Sequence, residues 1–480
     1  MGNYYDESTI CAQASGSGAG AVTVLRLSGP RSIEILDQVF TPAGKKPLRE
    51  SENYKMRFGV IRRGEEVIDE VMAVVFRAPH SYTGEESAEI YCHGSEYIAQ
   101  EILKLLMEKG ASLAEGGEFT KRAFLNGKLD LAQAEAVADL IASQTKAAHD
   151  VAMAQMKGGF SQELSKMRGD LVEIVSLMEL ELDFSEEDVE FADRVRLKEL
   201  LEAVCAHLDK LIESFALGNV IKNGVPVAIV GATNTGKSTL LNALLGEEKA
   251  IVSDIAGTTR DVIEDTININ GVTFRFIDTA GIRNTTETIE MIGIERTWWK
   301  MAQASVVMLM LDSQRPETFE QNIANLSERV SAAVAENGIE KQVVVLLNKA
   351  DLVSDGEREG YLSQIAEYGR KYDLSPARIF PISAKVRLGV DEVVNYLALS
   401  RKSMKTDRNS TLVTNLRHLE ALRSAREALA RVWDGLSDSI PTDLVAQDIR
   451  EAIYHIGTIT GEVSTDEVLG VIFGRFCIGK

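Results

Sequence analysis

The sequence predicts a multidomain α/β chain, and three observations carry that prediction. A glycine-rich loop, Gly231 to Thr239, sits in mid-chain between the apolar run Val225 to Val230 and an apolar-periodic helix, LLNALLG. Helical stretches with few breakers stand on both sides of the unit which that loop opens. An N-terminal stretch alternates strand-like runs with two helical ones. The 480 residues, 45% apolar and 26% charged, suffice for two or three compact domains.

Residues 1–125 carry the strand-like runs AVTVLRLSG, VMAVVFRAP and SAEIYC and the helices SIEILDQVF and EYIAQEILKLLMEKG, a pattern that predicts a compact α/β or α+β domain. Residues 126–223 follow; from Leu131 to Val220 there is no proline, and segments such as LVEIVSLMELEL and LKELLEAVCAHLDKLIESF read as amphipathic helices. The acidic run Ser185-Glu186-Glu187-Asp188 reads as a solvated helix boundary. Residues 224–402 form the α/β unit, and 403–480 are helical again, broken mainly at Pro441 and at the glycines near Gly457. Neither helical stretch buries a core well alone, so the two are expected to form one discontinuous domain with the α/β unit inserted in it.

Composition excludes several classes. The N-terminus lacks a basic region followed by an apolar signal core, and no uncharged apolar run reaches membrane-spanning length; the expectation is a cytoplasmic chain with no membrane attachment. Met1-Gly2 does not open a myristoylation signal, because Asp6 stands where Ser or Thr is required. Cys11, Cys92, Cys205 and Cys477 are scattered without metal-site spacing, which predicts reduced thiols. The formal charge of −20 is a poor footprint for a protein that grips a nucleic-acid backbone by itself, so an RNA substrate would need a partner to supply much of the grip.

The loop GATNTGKST has the spacing and the strand-to-helix context of a phosphate-binding loop. Small residues let backbone N–H groups turn inward around phosphate oxygens at a helix N-terminus, whose dipole favours anions. Asn234, Thr235, Gly236 and Thr239 belong to that loop; Lys237 would reach the β- and γ-phosphates, and the Ser238 hydroxyl would ligate Mg²⁺. Asn348-Lys349-Ala350-Asp351 follows the apolar run QVVVLL and therefore stands at the C-terminal edge of a buried parallel sheet. A buried carboxylate at Asp351 can accept from the ring N–H and exocyclic amine of guanine, a donor pair adenine lacks, which selects GTP over ATP. Ser383-Ala384-Lys385, after IFPI, completes the guanine pocket. Two further segments read as nucleotide-sensing switches. In the first, Ser253, Asp254, Ile255, Ala256, Gly257 and Thr258 precede Thr259, a second hydroxyl ligand for Mg²⁺. In the second, Asp278, Thr279, Ala280 and Gly281 follow a strand that the Asn270-Gly271 turn joins to its predecessor as a hairpin; Asp278 would hold the metal through water and the Gly281 amide would meet the γ-phosphate.

The position after Gly281 is Ile282, where Ras-like proteins place a glutamine that orients the attacking water; isoleucine can neither donate nor accept. The water must be positioned from the polar segment Arg283 to Glu290, in which Glu287 and Glu290 are the candidates. No arginine finger is evident in the chain.

This GTPase unit, the DIAGTTRD segment, the N-terminal stretches TGEESAEIYCHG and GEFTKRAFLNGKLDLAQAEAVADLI, and the terminal FCIGK together closely resemble the bacterial tRNA-modification GTPase family called MnmE or TrmE, over essentially the whole chain. The resemblance implies an N-terminal domain that binds a tetrahydrofolate one-carbon carrier and dimerises, a discontinuous helical domain and an inserted Ras-like P-loop GTPase domain. It also implies an FAD-dependent partner, MnmG or GidA, assembled with the homodimer into a heterotetramer that modifies C5 of the tRNA wobble uridine. By motif, Arg26, Glu89, Lys128 and Lys480 are its folate-contacting positions; the folate is a 5,10-methylene or 5-formyl form. Asn234, Ser253, Ile255 and Thr258 match the positions that hold K⁺, and Glu290 matches the general acid/base. Cys477 has two readings, a thiolate nucleophile toward uracil C6 or packing in the folate pocket. The glycine-rich SGSGAGAV segment departs from the family pattern, and Ser253 stands where some members have Thr. A ribosome-assembly GTPase of the Era or EngA type is the alternative; such proteins carry a basic KH-like domain after the GTPase unit, whereas here acidic helices and FCIGK follow.

Overall fold

The computed structural model describes residues 8–16, 18–44, 46–183, 194–246, 265–277, 301, 303–337, 340–374, 376–400, 411–437, 442–474, 476, 478 and 479. Strands β1 (Ile10–Gln13), β2 (Val22–Ser28), β3 (Phe40–Pro42), β4 (Arg57–Arg63), β5 (Glu66–Phe76), β6 (Ser87–His93) and β7 (Ser112–Leu113) build the N-terminal sheet in the order β3-β4-β5-β6-β2-β1-β7. Its pairings are antiparallel apart from β1 with β7. Helices α1 (Ser32–Val39) and α2 (Glu96–Glu108) cover one face, where Leu36, Ile102 and Leu106 share a core with Leu25, Ala73 and Ile90. On β6, Ala88, Ile90 and Cys92 enter that core, so the two-residue period of a strand turns Glu89 and Tyr91 to the opposite face. Helix α3 (Glu118–Leu125) closes this part.

Helices α4 (Leu131–Ala142), α5 (Lys146–Met156), α6 (Gly159–Asp183) and α7 (Arg194–Asn223) follow. The start of α4 is fixed by a capping box in which Asp130 and Gln133 satisfy each other's backbone N–H groups. The α/β unit then runs β8 (Val225–Val230), α8 (Lys237–Leu245), β9 (Asp265–Ile269), β10 (Val272–Phe276), β11 (Val306–Asp312), α9 (Phe319–Asn337), β12 (Gln342–Asn348), α10 (Asp355–Lys371), β13 (Arg378–Pro381) and α11 (Val390–Ser400). Its sheet order is β13-β12-β11-β8-β10-β9, parallel except for the β9–β10 hairpin, which turns at Asn270 and Gly271, both at positive φ. The fully apolar runs of β8, β11 and β12 are buried because both faces of the sheet carry a hydrophobic core.

The chain returns through α12 (Leu416–Ser437), α13 (Thr442–Thr460) and α14 (Asp466–Phe473). Leu422 and Leu429 of α12 and Ile449 and Ile456 of α13 share one core with Leu164 and Leu171 of α6 and Leu208 of α7, so the flanking helices form a single body around the insertion. Among the glycines near Gly457 the break falls at Gly461, where φ is 84°: α13 runs through Gly457, an interior glycine costing only about 1 kcal/mol. Among the described residues no helix is long and apolar enough to cross a membrane.

The two crossings between helical body and α/β unit lie side by side. Gly218 on α7 allows this, since a Cβ there would run into the Val413 carbonyl oxygen. Val413 N–H donates to Ser214 Oγ at 3.0 Å, and Gln155 Nε2 donates to Leu412 O at 3.0 Å. Helix α4 holds both crossings: Lys222 pairs with Asp139 at 2.7 Å, and Arg417 grips Glu135 with Nε and Nη2, each 3.0 Å from a carboxylate oxygen. His418 Nε2 lies 2.6 Å from Glu135 Oε2. Burial works against the Glu135 charge, but the hydrogen bond from His418 and the Arg417 guanidinium outweigh it and hold the carboxyl down at about 2. Burial likewise pushes His418 below its ordinary value of 6.5.

Candidate functional site

The phosphate loop is shaped by backbone conformations that few residues adopt. Asn234 has φ 61° and Gly236 φ 100°, and a Cβ on Gly236 would strike the Asn348 amide nitrogen. Gly236 is the N-cap of α8, and Leu240, Leu241 and Leu244 anchor that helix in the core, so its N-terminal end, whose dipole favours anions, is held in a fixed place beside the loop. The Lys237 ammonium donates to the carbonyls of Gly231 (2.8 Å) and Ala232 (2.7 Å), which places it directly over the loop. Burial pushes its pKa below 10.5, as expected for a cation that a polyanion would re-solvate. Thr235 Oγ1 donates to Ala232 O at 2.9 Å and braces the turn. Ser238 and Thr239 follow in the first turn of α8.

Asn348 joins this loop to the base-side loops. Its Nδ2 donates to Thr235 O at 2.7 Å, and its Oδ1 accepts from Ala384 N–H at 2.9 Å. Both polar ends of one buried amide are thereby satisfied, each on a different loop. Lys349 takes φ 62° and pairs with Asp312 at 2.6 Å, while Ser313 Oγ donates to Lys349 O at 2.8 Å. Asp312 and Ser313 were not picked out from sequence; a buried carboxylate ending the apolar run VVMLMLD was the available signal. Ala350 N–H donates to Ile382 O at 2.9 Å, which brings the Asn348–Asp351 turn against Ser383, Ala384 and Lys385. One expectation is corrected: Asp351 is exposed rather than buried, because it lies on a one-turn helix (Ala350–Leu352) at the rim of this pocket. Ser253, Asp254, Ile255, Ala256, Gly257, Thr258, Thr259, Asp278, Thr279, Ala280, Gly281, Ile282, Glu287 and Glu290 lie outside the described residues.

A second constellation lies on the face of the N-terminal sheet opposite the α1–α2 core, partly covered by Phe119 of α3. Arg26 on β2 is directly opposite Glu89 on β6, and its Nε donates to Glu89 Oε1 at 2.9 Å. Tyr91 Oη donates to Glu89 Oε2 at 2.7 Å. The guanidinium lies 5.3 Å from the Tyr82 ring centre and 5.7 Å from that of Phe119. Lys128 Nζ donates to Pro79 O at 3.1 Å, on the same β5–β6 connection that carries Tyr82. The C-terminal tail seats nearby: Ile478 bridges Gly116, and Phe473 packs with Phe124, Leu131 and Ala134. Cys477 and Lys480 lie outside the described residues.

A lysine over a glycine-shaped loop at a helix N-terminus, tied by Asn348 to an Asn-Lys-x-Asp turn on a parallel sheet, defines a P-loop GTPase. Comparison narrows the class. Residues 9–128 match the family model for the GTP-binding protein TrmE N-terminus, and residues 131–477 match that for the MnmE helical domain. The tRNA modification GTPase MnmE of Bacteroides thetaiotaomicron is 53% identical over 476 residues, covering 99% of this chain and 100% of that protein. The protein of the same name from Christiangramia forsetii is 49% identical over 473 residues, covering 98% and 99%. The chain belongs to the MnmE family of tRNA modification GTPases, enzymes that hydrolyse GTP. A solved GTP-binding protein of Sulfolobus solfataricus in complex with GDP aligns at 19% identity over 50% of this chain and 68% of that one, with a TM-score of 0.28.

Proposed function

We propose that this chain is a K⁺-stimulated GTP hydrolase. With an FAD-dependent partner of the MnmG/GidA type, it adds an aminomethyl or carboxymethylaminomethyl group to C5 of the wobble uridine of certain tRNAs. A tetrahydrofolate derivative supplies the one-carbon unit. The supporting observation is the presence in one chain of two separate constellations: a phosphate loop locked by Asn348, and a half-buried arginine–carboxylate pair on the N-terminal sheet near the C-terminal tail. Glu89, held by Arg26, suits the donor pair of a pterin, and Lys128 and Lys480 suit the anionic glutamate tail.

In the hydrolytic site, Lys237 meets the β- and γ-phosphates, and Ser238 with Thr259 holds Mg²⁺, which neutralises charge on them. Asn234, exposed on the loop at φ 61°, joins Ser253, Ile255 and Thr258 to hold K⁺ where an arginine finger is lacking. Glu290 orients the attacking water and acts as general acid/base, since Ile282 has no polar group. Asp351 with Ser383, Ala384 and Lys385 reads the base. Cys477 serves either as a nucleophile toward uracil C6 or in packing of the folate pocket. The chain works in the cytoplasm as a homodimer within a heterotetramer, and the partner supplies most of the grip on tRNA. Domains at 1–125, 126–223, 224–402 and 403–480 divide these tasks.

Mass spectrometry of tRNA nucleosides tests the reading, in cells lacking the chain and again after its re-expression. Loss of the C5-methylene-linked group, restored by the chain, is the expected result. An unchanged profile with a ribosomal-subunit defect would replace this reading by the assembly-GTPase one.

A further inference from the structure

We propose that Tyr91 is a positioning residue for Glu89, and that its hydroxyl sets the selectivity of the N-terminal site for heterocycles presenting an amine beside a ring N–H. The inference rests on the folate reading of that site. The terminal torsion of a glutamate is soft, so one hydrogen bond leaves the carboxylate free to rotate. Arg26 Nε fixes only Oε1, at 2.9 Å. The Tyr91 hydroxyl fixes Oε2, at 2.7 Å, and the two anchors together define the carboxylate plane. Arg26 is itself held between the rings of Tyr82 and Phe119, and Tyr82 Oη lies 2.9 Å from Thr120 Oγ1, so the first anchor is rigid. Burial first, then the Glu89 carboxylate, pushes the Tyr91 hydroxyl up to about 12, and it remains a donor at neutral pH.

Each carboxylate oxygen accepts more than one hydrogen bond, so Oε1 and Oε2 each keep acceptor capacity while engaged by Arg26 and Tyr91. Two acceptors held in one plane match two parallel donors, the ring N–H and 2-amino group of a reduced pterin. Strand alternation alone put Tyr91 on this face, opposite the core of Ala88, Ile90 and Cys92, and on the same strand as Glu89.

Titration calorimetry on the purified full-length chain tests the inference, using 5-formyltetrahydrofolate and its 2-deamino analogue. The wild type should prefer the amine-bearing ligand. Tyr91→Phe, which keeps the ring, should weaken 5-formyltetrahydrofolate about tenfold and leave the 2-deamino analogue nearly unchanged, so that the preference shrinks by about tenfold. Tyr91→Gln, which restores a donor, should recover part of the preference. Equal weakening of both ligands, or no weakening, would overturn the role of Tyr91 alone. Wild-type chain that binds neither ligand would overturn the folate reading and this inference with it.

Discussion

Glu135→Gln should loosen the junction between the helical body and the GTPase unit, and its size follows from the structure. The Glu135 side chain is 10% exposed and takes two hydrogen bonds from Arg417 and one contact from His418. Folding lowers its carboxyl from 4.5 to about 2, and a shift of roughly 2.5 units is worth about 3 kcal/mol. That matches the low end of the cost of removing one partner from a buried ion pair, about 3–5 kcal/mol. A depressed carboxyl stabilises the fold above its unfolded value and ceases to do so as pH falls from 4.5 toward about 2. The gap between wild type and variant should therefore be level at neutral pH and narrow only in acid. Amide hydrogen exchange over α4 and the first turns of α12 measures it locally, which a multidomain chain requires. Exchange through the opened state should quicken by about a hundredfold in Glu135→Gln. A rise below about tenfold, or a gap that changes between about pH 7 and 8, would refute the argument.

Gly218→Ala tests the pairing of the two crossings. A helical alanine should gain up to about 1 kcal/mol, but the collision with the Val413 carbonyl should make the change destabilising by about 1–3 kcal/mol. A raised melting temperature would sink that reading. Asn348→Ala removes both bonds between the phosphate loop and Ala384, and fluorescent-nucleotide titration should show GTP affinity down by about a hundredfold; a Kd within about threefold of wild type would count against the Asn348 lock. Turnover should be faster in KCl than in NaCl at matched ionic strength and lose that difference in Asn234→Ala. Equal wild-type rates in the two salts would remove the K⁺ assignment.

What the sequence made legible was whatever periodicity and local chemistry encode. The apolar runs of β8, β11 and β12 announced buried parallel strands, the Asn270-Gly271 pair announced the hairpin, and the loop from Gly231 announced its own conformation. Periodicity says which face is buried and not what it meets. Glu135 and Arg417 are 282 positions apart, and each reads alone as a solvated helix charge. Tyr91 reads as a strand aromatic, although its hydroxyl anchors Glu89. Asp351 was expected to be buried because motif reasoning imagines the base already against it; the Lys349 conformation instead leaves it on the rim. Of the glycines near Gly457, packing of α13 in the helical core carries the helix through Gly457 itself at a small propensity cost, and the break falls at Gly461.

The paired crossings constrain how the inserted unit can move. Parting α7 from the return segment would strip Val413 N–H of Ser214 and expose the buried Val413 side chain, while Gln155 of α5 holds Leu412 O independently. Each buried group left unpaired costs about 1–3 kcal/mol, so the two crossings rotate as one stalk more readily than they separate. Helix α4 grips that stalk from one side, its Asp139 pairing with Lys222 of α7 and its Glu135 with Arg417 of α12. Its first turn, through Leu131 and Ala134, lies against Leu469 and Phe473 of α14, the helix that leads into the tail. A 12-residue helix is rigid over its length of about 18 Å, so a tilt of the stalk that keeps both ion pairs must shift the α4 N-terminus. That end begins three positions after Lys128 and packs on α14, the helix that precedes FCIGK, so a tilt of the stalk would be felt at both.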